Sequence, residues 1–372
     1  MKRRDLSRRQ VLGLAGTAAV LGGAQEPSSQ PAEYPVYRAR GTHREMGRQH
    51  GEQAARQIKA QVEMMFRGQK LPREEFRRLA ARFQPMFDRY CPHLLEEMRG
   101  LAEGAGVAFE DAMACSIRGE LGSARGEGCT AYAIGPRGAA DRHVIAGQNA
   151  DIGPDIITQA YVLHLQPQGK PDVLIWTFGG MLGYNGMNSA GVAHFSNALG
   201  GGPRSQFGMP EYVYERMMLE CSSLEQAIDV LRKLPLASNE NFMMCDGKGN
   251  IADVEATSAG PEIIRDQGAG YLVHTNHFLC QRYATAENLK RSLADSFPRL
   301  ARLDALIKAR YGSIKVDDVK QFLSDHSGQP TSICRHETRM ITVASMISEP
   351  VRRRMHVALG NPCQHKYVTY SM

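Results

Sequence analysis

A chain of 372 residues with 42% hydrophobic and 23% charged residues has the length and apolar content for a large core, which excludes a disordered protein. Of its formal charge of +6, Lys2, Arg3, Arg4, Arg8 and Arg9 against Asp5 put +4 in the first 24 residues and leave +2 on the body. No lysine run with interleaved aromatics occurs there, so nucleic acid is not an expected partner.

Residues 1–24 read as an export signal. Ser7-Arg8-Arg9-Gln10-Val11-Leu12 leads into an apolar run over 11–21 and then Gly22-Gly23-Ala24, a pattern similar to a bacterial twin-arginine signal. The run is too short for an ordinary membrane span and no cysteine follows the small residues, so no membrane anchor is expected. A periplasmic or secreted protein is the expectation. Residues 25–40 read as a linker-like lead into the domain.

From 44 to 90 the pattern is helical. Ile58, Val62, Met65 and Phe66 share one face, Phe76, Leu79, Phe83 and Phe87 another, and Pro72 separates them. Two further helices are predicted over 93–104 and 109–117, so 41–128 is read as a helical segment. Gly47 and Gly51 inside the first helix cost about 1 kcal/mol each, which implies a close backbone approach. His50 reads as a structural hydrogen-bonding residue. Arg118 and Glu120 stand where they can line a site or form a solvated helix end.

At Gly128-Cys129-Thr130 the period changes to two, and 129–372 reads as β-rich. Strands are predicted at 130–134 and 143–148, flanking the turn Gly135-Pro136-Arg137-Gly138; antiparallel pairing then brings Gln148, Asn149 and Asp151 roughly opposite Cys129. Further strands are predicted at 161–165, 173–178, 192–197, 242–245, 251–255, 271–277, 340–347 and 355–359. Helices are predicted at 211–220, 224–234, 287–309 and 317–324. The glycines around Gly179-Gly180 fit hairpin turns, since no Walker lysine or strand-to-helix phosphate loop accompanies them.

Eight cysteines, too sparse and irregular for a disulfide scaffold and without a CxxC pair, favour neither zinc nor redox chemistry, though an exported protein can form one or two bridges. His274 and His277 fall on opposite faces of a strand, against a zinc pair. No metal or cofactor is therefore expected. Cys129 is different: a cut before it would expose a thiol together with an α-amine that titrates near ~8, able to serve as that thiol's base.

Five ordered motifs carry a resemblance: Gly128-Cys129-Thr130-Ala131-Tyr132, Gly147-Gln148-Asn149-Ala150-Asp151, Asn188-Ser189-Ala190-Gly191-Val192, His274-Thr275-Asn276-His277 and Ser332-Ile333-Cys334-Arg335. Together they resemble the acyl-CoA:6-aminopenicillanate acyltransferase (isopenicillin N acyltransferase) family of N-terminal nucleophile hydrolases. The resemblance implies an α+β fold, a four-layer αββα sandwich. It also implies self-cleavage between Gly128 and Cys129 into two associated chains, with Cys129 as nucleophile, Asp151 and Arg339 assisting, and Asn276 in the oxyanion hole. Gly128 suits the strained turn such an attack needs, and Arg339 can hold Asp151 or a substrate carboxylate. Arg118, Asn149, Ala150, Gly153, Asn197, Thr257 and Thr338 are candidate pocket residues. Ala150, Gly153, Thr257 and Thr338 depart from the family pattern in the acyl pocket, which separates the nucleophile from any β-lactam substrate.

An exported protein does not meet acyl-CoA, so hydrolysis of a small acyl amide is the leading expectation and acyl-CoA-dependent N-acyl transfer the alternative. A single-chain Cys-His protease using His194 or His277 and a non-enzymatic binding protein are the rivals. A homo-oligomer is left open.

Overall fold

The computed structural model describes residues 33–68, 71–121 and 127–372; the signal expected at residues 1–24 lies outside them. The chain starts with strand β1 (Val36–Gly41), followed by helices α1 (His43–Gln53), α2 (Ala55–Gly68), α3 (Arg73–Ala81), α4 (Gln84–Tyr90), α5 (Pro92–Ala105) and α6 (Phe109–Cys115). Next come β2 (Gly128–Ile134), β3 (Ile145–Ile152), β4 (Ala160–Pro167), β5 (Val173–Phe178), β6 (Gly186–Asn188) and β7 (Ala193–Ala198). Helices α7 (Glu211–Met218) and α8 (Leu224–Lys233) precede β8 (Glu240–Cys245), β9 (Ile251–Thr257), β10 (Gly260–Arg265) and β11 (Tyr271–His274). The chain closes with α9 (Ala286–Lys290), α10 (Ser296–Arg310), α11 (Val316–Leu323), β12 (Ile341–Glu349), β13 (Arg354–Leu359) and β14 (Tyr367–Ser371).

Among the described residues these strands form two sheets, ordered β1-β4-β5-β6-β7-β8-β9-β10 and β11-β2-β3-β12-β13-β14. Three apolar cores fix the layering. One lies between α1–α8 and the first sheet, with Ile58, Phe87, Met98, Tyr161 and Phe242. A second lies between the sheets, with Ala131, Ala150, Trp176, Tyr184 and Met346. A third joins the second sheet to α10 and α11 through Tyr132, Ile134, Leu303 and Phe322. The result is the αββα sandwich. Each sheet is covered on both faces, which is why β2, β3, β5 and β9 are buried at every position.

The predicted glycine contact is present. A Cβ on Gly47 would stand 1.9 Å from the Glu97 carbonyl oxygen, and one on Gly100 2.0 Å from that of Arg44, so α1 and α5 touch backbone to backbone. His50 is buried and its Nε2 meets the Tyr161 hydroxyl at 2.7 Å, the structural role expected of it. Burial pushes that imidazole down to about 4, so it is neutral.

Three expectations need correction. Residues 36–40 are not linker: β1 pairs in parallel with β4, from Val36 against Val162 to Gly41 against Pro167. β3 runs on through Asp151 instead of stopping at Gln148. The helix expected over 287–309 is two, α9 and α10, with the break before Ser296. That break matters for the site, because it lets the Ser296 hydroxyl accept the backbone N–H of Asn276 at 2.8 Å.

Candidate active site

Cys129 sits on β2, an interior strand of the second sheet, and is 1% exposed. Antiparallel pairing sets Gly128 against Asp151 and Cys129 against Ala150, so the aspartate is one residue from directly opposite the cysteine. Alternation along the strand then separates their side chains. Cys129 shares the face of Ala131 and Ala133, toward the core between the sheets, whereas Thr130 and Asp151 look toward α10. Asp151 therefore lies on the Gly128 and Thr130 side of the strand, while the thiol is on the side of the core between the sheets, near enough to Tyr184 for the two groups to influence each other's ionisation.

On the other side of β2, β11 ends at His274, paired with Ala131. Two residues on, the Asn276 Oδ1 accepts the Cys129 N–H at 2.9 Å and an Arg299 Nη2 proton at 2.8 Å. These two donors orient the amide. Its Nδ2 donates to the Ala198 carbonyl at 3.1 Å and lies 3.4 Å from the Glu127 carbonyl oxygen, one residue before Gly128.

Arg299, on α10, was not singled out in the sequence. Buried at 2% exposure, it donates from Nη1 to the Cys129 carbonyl at 2.5 Å and the Thr130 hydroxyl at 2.8 Å, and from Nε to Asp295 Oδ2 at 2.7 Å. The same Asp295 oxygen accepts from Arg335 Nη2. Arg335 Nε in turn reaches Asp151 Oδ2 at 3.3 Å, and the Thr342 hydroxyl donates to Asp151 Oδ1 at 2.7 Å. One polar chain thus runs from Asp151 through Arg335, Asp295 and Arg299 to Cys129 and Asn276. The arginine expected to hold Asp151 was Arg339. That residue is exposed, and Arg335, buried at 2%, holds the carboxylate instead.

Gly128 is also not in a turn. It is a strand residue, and its small size answers crowding: an added Cβ would meet Met340 Sδ at 3.0 Å and Asp151 Cβ at 3.4 Å.

Burial is the largest influence on both ionisable centres. It pushes the Cys129 thiol well up, Glu127 and Asp151 add to this, and Arg299 and a backbone hydrogen bond from Asp151 oppose it, so the thiol of the uncut chain is protonated. Burial also lifts Asp151, to about 6, despite the two arginines that favour its charged form. The native protein therefore holds a proton on Asp151 between the ordinary aspartate range and about 6 that the unfolded chain has already lost. This contribution favours the fold at low pH and is lost as pH rises through that value. Any reaction needing the carboxylate should rise with pH around a midpoint near 6. Self-cleavage timed in freshly refolded protein should show that limb, and Asp151→Asn should lack it.

The pocket candidates divide. Arg118 is buried, lies 4.9 Å above the Phe178 ring, and its Nη2 is 3.5 Å from Glu127 Oε1. Ala150 is opposite the cysteine, and Gly153 follows the end of β3. Asn149 points away, its Nδ2 tying down the Leu323 and Ile333 carbonyls. Asn197 joins a buried amide chain with Gln148 and Asn241. The Thr257 hydroxyl bonds Tyr283, and Thr338 is exposed. The histidines of the protease rival are otherwise engaged: His194 Nε2 with the Glu215 carbonyl at 3.2 Å, and His277 Nδ1 with the Ser296 hydroxyl at 2.7 Å.

Two surroundings of the nucleophile were not foreseen. Trp176, Phe178, Tyr184 and Tyr212 pack with ring centroids 5.6–5.9 Å apart, and Tyr184 of this cluster lies within electrostatic reach of the thiol. Next to Glu127 and Ala198 lies a cavity of about 510 Å³ lined by Glu120, Glu211 and Glu240 as well as Arg204 and Tyr212. Glu240 is 6% exposed, its backbone paired with Ala198 and Ala256 and its carboxyl within the field of Arg204. Burial pushes Glu120 up to about 7 and Glu211 and Glu240 further, with each neighbouring carboxylate adding to the last two.

A family model described as acyl-coenzyme A:6-aminopenicillanic acid acyl-transferase matches residues 138–364, a span that holds Asp151, Asn276, Arg299 and Arg335 and begins after Cys129. The acyl-coenzyme A:6-aminopenicillanic-acid-acyltransferase 40 kDa form of Emericella nidulans is 28% identical over 338 residues, 87% of this chain and 91% of that protein. Conjugated bile acid hydrolase from Clostridium perfringens superposes with a TM-score of 0.43 at 14% identity, over 65% of this chain and 97% of that one. Penicillin V acylase from Agrobacterium tumefaciens gives 0.41 at 14% identity, over 62% and 82%. By the family match over more than half its length, the chain belongs to the acyl-coenzyme A:6-aminopenicillanic acid acyl-transferase family.

Proposed function

We propose that this enzyme is exported, cuts itself between Gly128 and Cys129, and then hydrolyses small N-acyl amides with Cys129 as nucleophile. The observation that carries the reading is the set of contacts on the backbone of Cys129 and its neighbour: Asn276 on the Cys129 nitrogen, Arg299 on the Cys129 carbonyl, and Asp151 across the ladder from Gly128. In self-cleavage Sγ adds to the Gly128 carbonyl carbon, the C–N bond breaks, and the thiol proton passes to the departing nitrogen. Water then opens the thioester. The products are a Gly128 carboxylate and a Cys129 bearing both thiol and α-amine.

Turnover repeats this chemistry on substrate. The α-amine takes the thiol proton and returns it to the leaving amine, and water releases the acyl group. Departure of the Glu127-Gly128 strand end would free Asn276 Nδ2, now facing the Glu127 carbonyl, to donate to the substrate oxyanion. The aromatic cluster between the sheets offers an apolar surface for the acyl chain. Transfer of the acyl group to an amine, as in the name of the fungal relative, is the second reading; a receiving amine would replace water in the last step.

The cavity bears on substrate choice. The acidic side chains Glu120, Glu211 and Glu240 outnumber Arg204; burial and their mutual repulsion favour their protonated forms, and a positively charged group on the substrate near the scissile bond would relieve that repulsion and let one of them ionise. Glu240→Gln should raise KM about tenfold for an ammonium-bearing acyl amide and leave a neutral acyl amide of the same length unchanged. Steady-state kinetics on such a pair test this, and equal effects on both would remove the cavity from the substrate path. The reaction itself is tested by supplying matured enzyme with acyl amides and with acyl thioesters plus an amine. Free acid from the amide is the expected product, whereas a new amide formed from the thioester and the amine, with release of the thiol, would favour the transfer reading.

A further inference from the structure

Away from the nucleophile, His326, Cys334, His336 and Cys363 bring two imidazole nitrogens and two thiols within 4.8 Å of one another. The loop after α11 supplies His326, the segment leading to β12 supplies Cys334 and His336, and the turn after β13 supplies Cys363. His336 Nε2 is 3.2 Å from His326 Nε2 and 3.4 Å from each of the two sulfurs, and the sulfurs are 3.6 Å apart. A ring nitrogen carries one proton or one lone pair, so hydrogen bonding can satisfy one of those three neighbours and not all of them.

A metal at the centre satisfies all four. Zinc bonds of ~2.3 Å to sulfur and ~2.0–2.1 Å to nitrogen give tetrahedral edges of ~3.7 Å between sulfurs, ~3.5 Å between sulfur and nitrogen and ~3.3 Å between nitrogens. The distances found are 3.6, 3.4 and 3.2 Å. We propose that this cluster is a structural zinc site, closed by two cysteines and two histidines, with both thiol protons released to solvent on binding. The mixed sulfur and imidazole donors and tetrahedral spacing suit zinc over magnesium or calcium, which take oxygen.

The site has a consequence for the active centre. Arg335 lies between two of the ligands in sequence and sends its guanidinium the other way, to Asp151 and Asp295. Asn361 ties the same backbone, donating to the Arg335 carbonyl at 2.7 Å and reaching Cys334 Sγ at 3.5 Å. The metal therefore clamps the segment that presents Arg335, which makes the ligands positioning residues. The absence of CxxC spacing hid the site, because its ligands converge from three separate segments. A second cluster, His43, His93 and Glu220, does not compare: Arg216 Nη1 is 2.9 Å from Glu220 and already supplies its positive charge.

Metal analysis of purified full-length protein should find about one zinc ion per chain, and replacement by cobalt should give the visible absorption of a tetrahedral site with two thiolates. Cys363 and His326 are exposed, so Cys363→Ser and His326→Asn should keep the fold, judged by circular dichroism, and lose the zinc, while Cys221→Ser keeps it. Three results would overturn the proposal: no zinc or cobalt taken up by metal-free protein on titration; unchanged zinc content in both ligand variants; or a Cys334–Cys363 disulfide in non-reducing peptide maps of the folded protein.

Discussion

Cys129→Ala is expected to yield one uncut polypeptide with turnover reduced by on the order of 10⁶-fold, the scale seen when a covalent nucleophile is removed. Self-processing and catalysis use the same sulfur, so the variant should lose both together. Folding should survive, because the change removes one buried sulfur from a strand whose neighbours Ala131 and Ala150 are already alanines and costs only the weak hydrogen bond from the Asp151 backbone. Cys129→Ser separates the steps further. A hydroxyl is a poorer nucleophile at the same position, so slow cutting with little turnover is the expected outcome. Gel mobility, intact mass and amide hydrolysis read all three. Cutting at the same bond in Cys129→Ala would assign the reaction to another group or to a contaminating protease.

Arg299→Met is expected to have the second largest effect. The methionine fills similar volume but withdraws the donors that reach Cys129, Thr130, Asn276 and Asp295, leaving buried acceptors unpaired. Breaking a buried ion pair from one side costs about 3–5 kcal/mol, so the unfolding temperature should fall by several degrees. Self-cleavage should slow by about 10²-fold even below that temperature, since the Cys129 carbonyl and the Asn276 amide lose their common anchor. Arg299→Lys distinguishes positioning from charge: it should recover much of the stability and little of the cleavage rate, because one ammonium cannot reach four acceptors. If Arg299→Met cuts and unfolds as the wild type does, the polar chain does not position the peptide unit.

What could be read from the sequence followed the range of the physics involved. The β2–β3 hairpin was visible because a period-two run, a Gly-Pro turn and a second run lie within about 25 residues, although the pairing was misjudged by one position. That single position moves the Asp151 side chain to the opposite face from the thiol. The Asn276 contact was reachable through the motif at the end of β11. Arg299 was not: it lies 170 residues from the carbonyl it holds, and on α10 it reads as one more charge on an amphipathic helix. Arg335 stood inside a quoted motif, yet Arg339 was preferred, since nothing local says which arginine turns inward. The edge strands β1, β10 and β14 escaped because half-exposed edges lack the continuous apolar run that marks a central strand.

The most direct measurement of the central claim is the intact mass of purified enzyme, with N-terminal sequencing of each component. Two co-purifying chains are predicted, the first ending at Gly128 and the second beginning at Cys129. A fully active protein that remains a single chain across the Gly128–Cys129 bond would contradict it.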